Sequence, residues 1–271
     1  MYKKSLGQNF LTSTNIAKDI VGFGKLSKKD TVLEIGPGQG MLTQFLLLSE
    51  AKVIAVEKDN ELFSGLKERF KKEIKSKQLI LVNEDILKFD PKNYKLKALP
   101  AGRQVFSYKL VANIPYNITG QIIRKFLTAK HQPEQMTLMI QKEVGERIVA
   151  KSASGRSKES VLSLSVKAYG EPKIVKNVSK RHFLPQPKID SVVINIDNIS
   201  RKRFTKIDEK TFFIAVKSGF AHKRKKLIKN LEESFPKNAL EDAFCSLDLS
   251  TNTRAEDLSL EKWLQLAKLI K

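Results

Sequence analysis

Residues 31–40 read Thr31-Val32-Leu33-Glu34-Ile35-Gly36-Pro37-Gly38-Gln39-Gly40, and this stretch decides the fold. Its first five residues have the β-branched and apolar character of a strand, and glycine then recurs at every second position. The next residues, 41–48, have the pattern of a helix. A strand that passes through a glycine-rich loop into a helix is the context in which nucleotide-like ligands bind, because glycines let the backbone approach closely. The stretch therefore predicts the first βα unit of a parallel sheet, with a ligand-binding loop.

The chain beyond this stretch continues to alternate short apolar runs with helical patterns, which is typical of a doubly wound α/β sheet. The predicted strands are residues 31–35, 52–56, 78–82, 109–112 and 136–140, and the predicted helices are residues 41–48, 61–74, 120–127 and 142–150. Residues 161–168 and 191–196 are apolar runs with no helix between them, so we expect an antiparallel pair at one edge. Residues 97–107 and 151–160 are expected to be surface loops.

The last part of the chain has a helical pattern throughout. Its predicted helices are residues 210–218, 223–231, 238–244 and 259–270. The change of pattern follows Arg201-Lys202-Arg203, just after the last predicted strand. We therefore expect two domains, an α/β domain of residues 1–203 and a small all-helical domain of residues 204–271.

The charge of the chain favours a polyanionic partner. The sequence has 50 Lys and Arg against 29 Asp and Glu, a formal net charge of +21. Residues 172–231 alone carry 16 Lys and Arg against four Asp and Glu, a net charge of +12. A charge that served only solubility would be spread more evenly. No amphipathic anchor with exposed Trp or Phe accompanies the basic segment, so we expect nucleic acid rather than a membrane surface.

Cysteine and histidine usage excludes several kinds of site. Cys245 is the single cysteine, which excludes an intrachain disulfide and a cysteine-cluster metal site, and we expect it to be buried. His131, His182 and His222 lack metal-ligand spacing, so no metal is expected. The chain has no run of about 18 apolar residues, and its first residues lack the apolar stretch of a signal peptide. We therefore expect a cytoplasmic protein without a membrane segment.

The glycine loop fits an adenosyl ligand without phosphate better than NAD. Its spacing is G-x-G-x-G, with Gly36 and Gly38 nearest the strand, rather than the G-x-G-x-x-G of dinucleotide-binding proteins. Pro37 also removes one backbone N–H that a phosphate could use.

Two acidic residues at successive strand ends complete this pattern. Glu57 follows the second strand, where a carboxylate can accept hydrogen bonds from both ribose hydroxyls. Asp85 follows the third strand and can accept from an adenine amino group, while Ile86 packs on the ring. Each acid alone could equally be a solvated residue at a strand end. Together with the glycine loop, the two acids favour S-adenosylmethionine.

Asn113-Ile114-Pro115-Tyr116 follows the fourth predicted strand and fits one chemical task, the presentation of an adenine amino group to a methyl donor. This nitrogen is a poor nucleophile because its lone pair is delocalised into the ring. The Asn113 oxygen and the Ile114 carbonyl can accept its two N–H bonds, since Pro115 biases Ile114 toward an extended conformation. Tyr116 offers a ring on which the base can stack. Taken alone, the four residues could also be a strand that ends in an Asn-Pro type turn.

With these motifs the sequence resembles the small-subunit rRNA adenine N6-dimethyltransferase family (KsgA/RsmA), which is related to the Erm resistance methyltransferases. The resemblance covers nearly the whole chain and rests on seven motifs in family order. They are Gly7-Gln8-Asn9-Phe10-Leu11, the loop at residues 34–40, Glu57, Glu84-Asp85-Ile86-Leu87, residues 113–119, Phe183-Leu184-Pro185-Gln186-Pro187-Lys188-Ile189-Asp190-Ser191 and Phe220-Ala221-His222-Lys223-Arg224-Lys225-Lys226-Leu227.

The resemblance implies a Rossmann-like class I methyltransferase sheet with a small C-terminal helical domain, and roles for particular residues. Asn9 and Leu11 would cover the methionine and sulfonium end of the cofactor, and Asn113 would contact both cofactor and target base. Phe183 would hold the flipped adenine opposite Tyr116, although an ordinary core aromatic is the alternative. The phosphates of the RNA would be held by the basic cluster, which consists of Lys223, Arg224, Lys225 and Lys226.

The implied reaction is methyl transfer from S-adenosylmethionine to N6 of two adjacent adenines in the 3′-terminal hairpin of 16S rRNA. The implied partner is a small ribosomal subunit precursor, and the implied enzyme is a monomer. No Asp, Glu or His lies in the Asn113–Tyr116 motif as a general base, and positioning is expected to dominate catalysis. Residues 151–163 depart from the family pattern, which leaves the RNA contacts of this segment open.

Three alternatives remain at this stage. An Erm-like enzyme would methylate a single adenine of large-subunit rRNA. A DNA adenine methyltransferase uses a similar motif but would act on duplex DNA. A ribosome assembly factor without turnover would bind RNA only, and the intact cofactor motifs argue against it.

Overall fold

The computed structural model describes residues 9–93, 107–150 and 158–270. The chain divides into two compact units: unit 1 lies within Met1–Gly145 and Glu171–Ile199, and unit 2 lies within Glu146–Gly170 and Ser200–Lys271. Residues 146–170 thus belong to the same unit as the C-terminal helices. The predicted single boundary after residue 203 places them in the first domain instead. That division into functional domains stays a prediction, and the predicted loops at residues 97–106 and 151–157 lie outside the described residues.

The strands of the described chain all lie in unit 1. In chain order they are β1 (Phe10–Leu11), β2 (Thr31–Ile35), β3 (Lys52–Glu57), β4 (Leu79–Asn83), β5 (Lys109–Asn113), β6 (Gln135–Gln141), β7 (Glu171–Val178), β8 (Phe183–Leu184) and β9 (Ser191–Asp197). Seven of them form one sheet in the order β4-β3-β2-β5-β6-β9-β7, and β1 pairs with β8 in a separate antiparallel ribbon.

The pairing in the large sheet is parallel from β4 to β6 and antiparallel at β9 and β7. β2 is buried at every position and lies between β3 and β5. The chain runs outward from β2 to β3 and β4, and then returns to place β5 on the other side of β2. This change of direction is a topological switch point, and in such sheets ligands bind at the carboxyl ends of the strands there.

The helices are, in chain order, α1 (Thr14–Phe23), α2 (Met41–Leu48), α3 (Asn60–Arg69), α4 (Lys71–Lys75), α5 (Thr119–Thr128), α6 (Lys142–Val149), α7 (Val161–Lys167), α8 (Glu209–Gly219), α9 (Leu227–Leu231), α10 (Lys237–Ser246) and α11 (Leu260–Leu269). The helix predicted for residues 61–74 is interrupted at Phe70, whose ψ of 31° departs from helical geometry. None of the described helices is long and apolar enough to cross a membrane.

The edge of the sheet differs from the prediction. Residues 161–168 were expected to pair with residues 191–196, but Val161–Lys167 is the helix α7. Ser160 begins this helix, because its side chain accepts from the backbone N–H of Ser163 while the Ser163 hydroxyl accepts from the Ser160 N–H. The strand that pairs with β9 at this edge of the sheet is instead β7, and β9 pairs antiparallel with β6 on its other side.

Unit 2 has its own core, built around a single tryptophan. Trp263 is fully buried, stacks on Phe220 with 5.9 Å between ring centroids, and donates its ring N–H to the Ala255 carbonyl. A side chain at Gly219 would place its Cβ 2.4 Å from the Trp263 ring, so α8 can approach the ring only with glycine there. Cys245 was predicted to be buried, but it is exposed because it lies on the outer face of α10.

Candidate active site

A cavity of unit 1 opens at the carboxyl ends of β2, β3 and β5, at the switch point of the sheet. All the predicted cofactor-binding residues line it, namely Asn9, Leu11, Gly36, Gly38, Glu57, Asp85, Ile86 and Asn113. Ile114, Pro115 and Tyr116 line it as well. The sequence alone did not give the distances between these residues. The parallel sheet brings them together because the carboxyl ends of its four strands β2, β3, β4 and β5 lie on the same side.

The glycine loop adopts backbone conformations that other residues rarely reach. Gly36 and Gly38 have φ angles of +61° and +59°. The Gly36 N–H donates to the Val56 carbonyl at 3.0 Å, which ties the start of the loop to β3. A Cβ on Gly38 would lie 2.9 Å from the Phe10 ring, so β1 can cover the loop because no side chain stands there.

Glu57 is fixed at the end of β3 by two backbone donors. Its Oε2 accepts from the Gly38 N–H at 3.1 Å, and its Oε1 accepts from the Asp59 N–H at 2.9 Å. Burial raises the pKa of the Glu57 carboxyl, and these two hydrogen bonds partly offset that effect. Each carboxylate oxygen has a second lone pair, so Glu57 can still accept from two ligand hydroxyls.

Asp85 is held open toward the cavity at the end of β4. Its Oδ1 accepts from the Leu87 N–H at 2.9 Å, and its Oδ2 accepts from the Lys58 ammonium at 2.9 Å. The Lys58 hydrogen bond is the main reason that the pKa of Asp85 lies below its ordinary value. Asp85 is therefore an ionised acceptor, and Ile86 beside it is a buried apolar wall.

Glu34 is a functional candidate to which the sequence reasoning assigned no role. It lies within β2, is 1% exposed and lines the cavity. The Thr43 side chain lowers its pKa, but neither Glu34 oxygen makes a hydrogen bond of normal geometry with any residue that the structure describes. Burial raises the pKa of Glu34 to about 8. An acidic residue inside an apolar strand was the signal that could have identified it.

Asn113 is oriented by a contact that spans the cavity. Its Nδ2 donates to the Asn9 carbonyl at 3.2 Å, so the last residue of β5 is linked to the segment that precedes β1. The Ile114 N–H donates to the Met139 carbonyl at 3.1 Å, which holds the next peptide against β6. Pro115 is extended, with φ −56° and ψ 128°. The proposed direction of the Ile114 carbonyl toward the base stays a prediction.

Tyr116 lines the cavity and is anchored at its hydroxyl. The hydroxyl oxygen lies 2.7 Å from the Ser191 Oγ, and Ser191 is fully buried at the start of β9. Burial is the main reason that the pKa of Tyr116 lies above its ordinary value. Ser191 ends the Phe183–Ser191 motif but was assigned no role, because its contact with Tyr116 joins residues 75 positions apart and no local pattern shows it.

Phe183 lies near this region but does not line the cavity. It is 3% exposed, belongs to β8, and is paired with Leu11 of β1. It packs with the hydrophobic core of unit 1. Its role as a second stacking face for the base stays a prediction.

The predicted RNA-binding residues lie on an exposed turn of unit 2 rather than on a helix. The helix predicted for residues 223–231 is wrong in its first half, since α9 begins only at Leu227. Asn230 shapes the turn, because its buried Nδ2 donates to the carbonyls of Gly219 and His222. The basic cluster Lys223–Lys226 makes no ion pair with any described carboxylate, so four cationic side chains are directed to solvent.

The cavity contains hydrogen-bond acceptors and apolar walls suited to an adenosyl ligand, followed by an amide and an aromatic ring suited to a second base. Within the described residues, no three His, Cys, Asp or Glu side chains come together as a possible metal site.

Comparison with known proteins shows the family to which the chain is related. The model of a family described as ribosomal RNA adenine dimethylase matches residues 1–271. The "Ribosomal RNA small subunit methyltransferase A" of Clostridium botulinum (strain Langeland / NCTC 10281 / Type F) is 38% identical over 271 residues, which cover 99% of this chain and 94% of the relative.

Two crystal structures are similar over nearly the whole chain. A dimethyladenosine transferase from Plasmodium falciparum superposes with a TM-score of 0.76 and 27% identity, and the match covers 95% of each chain. The 23S rRNA methyltransferase ErmE superposes with a TM-score of 0.71 and 23% identity, covering 97% of this chain and 99% of ErmE. At that identity, the likeness to ErmE concerns the fold alone.

Proposed function

Because the chain belongs to the ribosomal RNA adenine dimethylase family, we propose that it methylates N6 of two adjacent adenines in the 3′-terminal hairpin of 16S rRNA. The fold is the Rossmann-like sheet of class I methyltransferases with an added helical unit, as the sequence predicted. S-adenosyl-L-methionine is the methyl donor of this enzyme. Its product is N6,N6-dimethyladenine, formed during ribosome biogenesis.

One observation carries the proposal: a single cavity contains both the cofactor residues and the Asn113–Tyr116 motif. The two groups are contributed by different strand ends and are linked by the hydrogen bond between Asn113 and Asn9. A methyl donor and an adenine acceptor must meet within bonding distance, so one continuous cavity is what the reaction requires.

The residues of the cavity fit S-adenosylmethionine. Glu57 would accept from the ribose hydroxyls, Asp85 would accept from the adenine amino group, and Ile86 would contact the adenine ring. The positive φ angles of Gly36 and Gly38 leave the loop backbone open to the ligand. The buried Glu34 carboxyl would face the amino end of the methionine moiety, where a cation could replace its missing partner. When bound, the cofactor supplies an activated methyl group on a sulfonium.

The substrate adenine would be held by the Asn113–Tyr116 motif. The Asn113 oxygen and the Ile114 carbonyl would accept the two N–H bonds of the amino group, which favours a tetrahedral nitrogen with an available lone pair. Tyr116 would stack on the base, and its bond to Ser191 holds the ring in one orientation. The methylated nitrogen becomes acidic and can lose its proton to water, so these residues need only orient the base.

The basic cluster Lys223–Lys226 would contact RNA phosphates. Its four exposed cations on a turn suit contacts that position the RNA rather than read its bases. We expect Gln at all four positions to weaken binding to small-subunit rRNA and to make the dependence of log Kd on log salt shallower. A filter-binding titration with an unchanged slope would count against this surface.

We further propose that the substrate is a small-subunit precursor, that the enzyme acts on it in the cytoplasm, and that it does so as a monomer.

The decisive experiment offers four substrates in parallel with labelled S-adenosylmethionine. They are undermethylated small subunits, large subunits, naked 16S rRNA and duplex DNA, and the product is mapped by mass spectrometry. We expect dimethyladenine at two adjacent positions of the small-subunit rRNA. Labelling of the large subunit alone would instead indicate the Erm-like reaction, and labelling of DNA would indicate a DNA methyltransferase.

A further inference from the structure

The basic residues of the last strands of unit 1 fall into two groups. Residues 172–199 contain five Lys and Arg. On β7, Lys173 pairs with Asp197 at 2.7 Å and Lys176 pairs with Asp19 at 2.9 Å. The other three make no ion pair with any carboxylate that the structure describes, and all lie on the segment between β7 and β9, namely Lys180, Arg181 and Lys188.

This segment, residues 180–190, is called the rim loop below, because one of its ends is bonded to a residue next to the cavity lining and the residue after its other end contacts a residue of the cavity. At one end, the Thr12 N–H and hydroxyl both donate to the His182 carbonyl, at 2.9 and 3.0 Å. Thr12 directly follows β1, whose residues line the cavity. At the other end, Ser191 contacts the hydroxyl of Tyr116 at 2.7 Å. The rim loop therefore borders the part of the cavity that contains the Asn113–Tyr116 motif.

The exposed side chains of the rim loop are of two kinds. Arg181 and Lys188 are exposed cations, and Leu184 and Ile189 are apolar residues that are 53% and 36% exposed. Lys180 is half-buried, and its ammonium donates to the Lys188 carbonyl. Cations beside exposed apolar side chains suit single-stranded RNA, which presents phosphates together with the apolar faces of riboses and bases.

We propose that the rim loop is a second RNA-binding surface, which holds the phosphates that flank the target adenine while the base occupies the cavity. This inference rests on the proposed function. A base that is turned into a cavity leaves its own phosphates at the rim, and phosphate contacts set the position of the strand. Arg181 and Lys188 are the phosphate contacts, and Leu184 packs against the neighbouring nucleotide.

The test uses the full chain with two substitutions, Arg181→Gln and Lys188→Gln, which remove charge but keep long polar side chains. The control is Lys28→Gln with Lys29→Gln. Both control lysines are exposed in unit 1 just before β2. They therefore lie at the amino ends of the parallel strands, whereas the cavity lies at the carboxyl ends. Each double variant loses the same charge, so a general electrostatic effect would change both alike.

Binding to unmethylated 16S rRNA is measured from 0.05 to 0.5 M salt. For single strands each phosphate contact contributes about 0.7 to the slope of log affinity against log salt, so two contacts contribute about 1.4. If the double variant and the wild type bind equally at 1 M salt, a slope difference of about 1.4 makes binding by the variant about 25-fold weaker at 0.1 M salt. We expect this loss for Arg181→Gln with Lys188→Gln, a nearly unchanged slope for the control, and unchanged cofactor affinity and Tm for both.

Equal slopes for the two double variants would overturn the rim loop as an RNA-binding surface. Loss of binding to phosphatidylglycerol vesicles with RNA binding intact would also overturn it, in favour of a membrane surface. The proposed function fails separately, if the wild-type chain transfers no methyl group to small-subunit rRNA. If the wild-type chain is active and the rim-loop variant has an unchanged salt dependence, only the rim-loop proposal is contradicted.

Discussion

We expect the substitution Glu34→Gln to remove a pH dependence from the stability of unit 1. The Glu34 carboxyl is 1% exposed, and burial raises its pKa from 4.5 to about 8. Gln has nearly the same shape and carries no ionisable group. The substitution therefore removes the titration while it keeps the packing of β2.

The sign and size of the effect follow from proton linkage. Between pH 4.5 and 8 the folded chain keeps the Glu34 proton and the unfolded chain does not. The stabilisation is complete below pH 4.5, falls as pH rises, and is lost above the folded-state pKa of about 8. At about 1.4 kcal/mol for each pH unit, the free energy of unfolding decreases by up to about 5 kcal/mol across this window.

The assay is urea unfolding of the ligand-free chain at pH 5, 6, 7 and 8, followed by far-UV circular dichroism. Tryptophan fluorescence is unsuitable because Trp263 lies in unit 2, whereas Glu34 lies in unit 1. We expect Glu34→Gln to gain stability relative to the wild type as pH rises, by several kcal/mol at pH 8. The control is Glu68→Gln, an exposed carboxylate of α3, which should follow the wild-type profile.

One result would refute this reasoning. If the free-energy difference between Glu34→Gln and the wild type is the same at pH 5 and pH 8, Glu34 does not retain its proton on folding. The carboxyl would then be solvated or paired, contrary to its burial in β2.

Three further predictions concern the cavity. Asn113→Ala should keep cofactor affinity within a few-fold and slow single-turnover methyl transfer about 100-fold, and near wild-type transfer would refute its role. Ser191→Ala should lower kcat/KM about 2- to 10-fold through Tyr116, and it should have no further effect in a Tyr116→Phe background if the hydrogen bond is the cause. Gly38→Ala should cost about 1–2 kcal/mol of stability because of its positive φ, and it should weaken cofactor binding measured by calorimetry. An unchanged cofactor affinity would mean that the Phe10 ring moves away from the added methyl group without disturbing the site.

The strands that bear the site could be predicted from the sequence. β2 and α2 have the predicted bounds, and β3, β4 and β5 are within a residue of theirs, because short apolar runs bounded by polar residues or glycine specify buried strands locally. The glycine loop, Glu57, Asp85 and Asn113 could be identified as candidates for the same reason. Each ends a strand or lies within two residues of its carboxyl end, and parallel strands bring such ends together on one side of the sheet.

Other local features could not be read from the pattern. Residues 161–167 look like a strand in composition, yet a reciprocal Ser160–Ser163 cap begins a helix there. The turn at Lys223–Lys226 has the composition of a helix, but α9 begins only at Leu227, and its Asn230 binds the carbonyls of Gly219 and His222, which precede the turn. In both cases a specific side-chain contact outweighed average propensity.

By itself, the sequence determined the class of fold and identified candidate cofactor residues and a candidate adenine-binding motif, because each strand, loop and motif is a local pattern along the chain. Only the tertiary structure decided that Tyr116 is held by Ser191, that Glu34 is buried with no hydrogen bond to the described residues, and that the rim loop borders the cavity. These features depend on contacts between distant segments. The acidic residue inside the apolar strand β2 marks Glu34 as unusual, but no local pattern shows which distant residues surround it or the other two features.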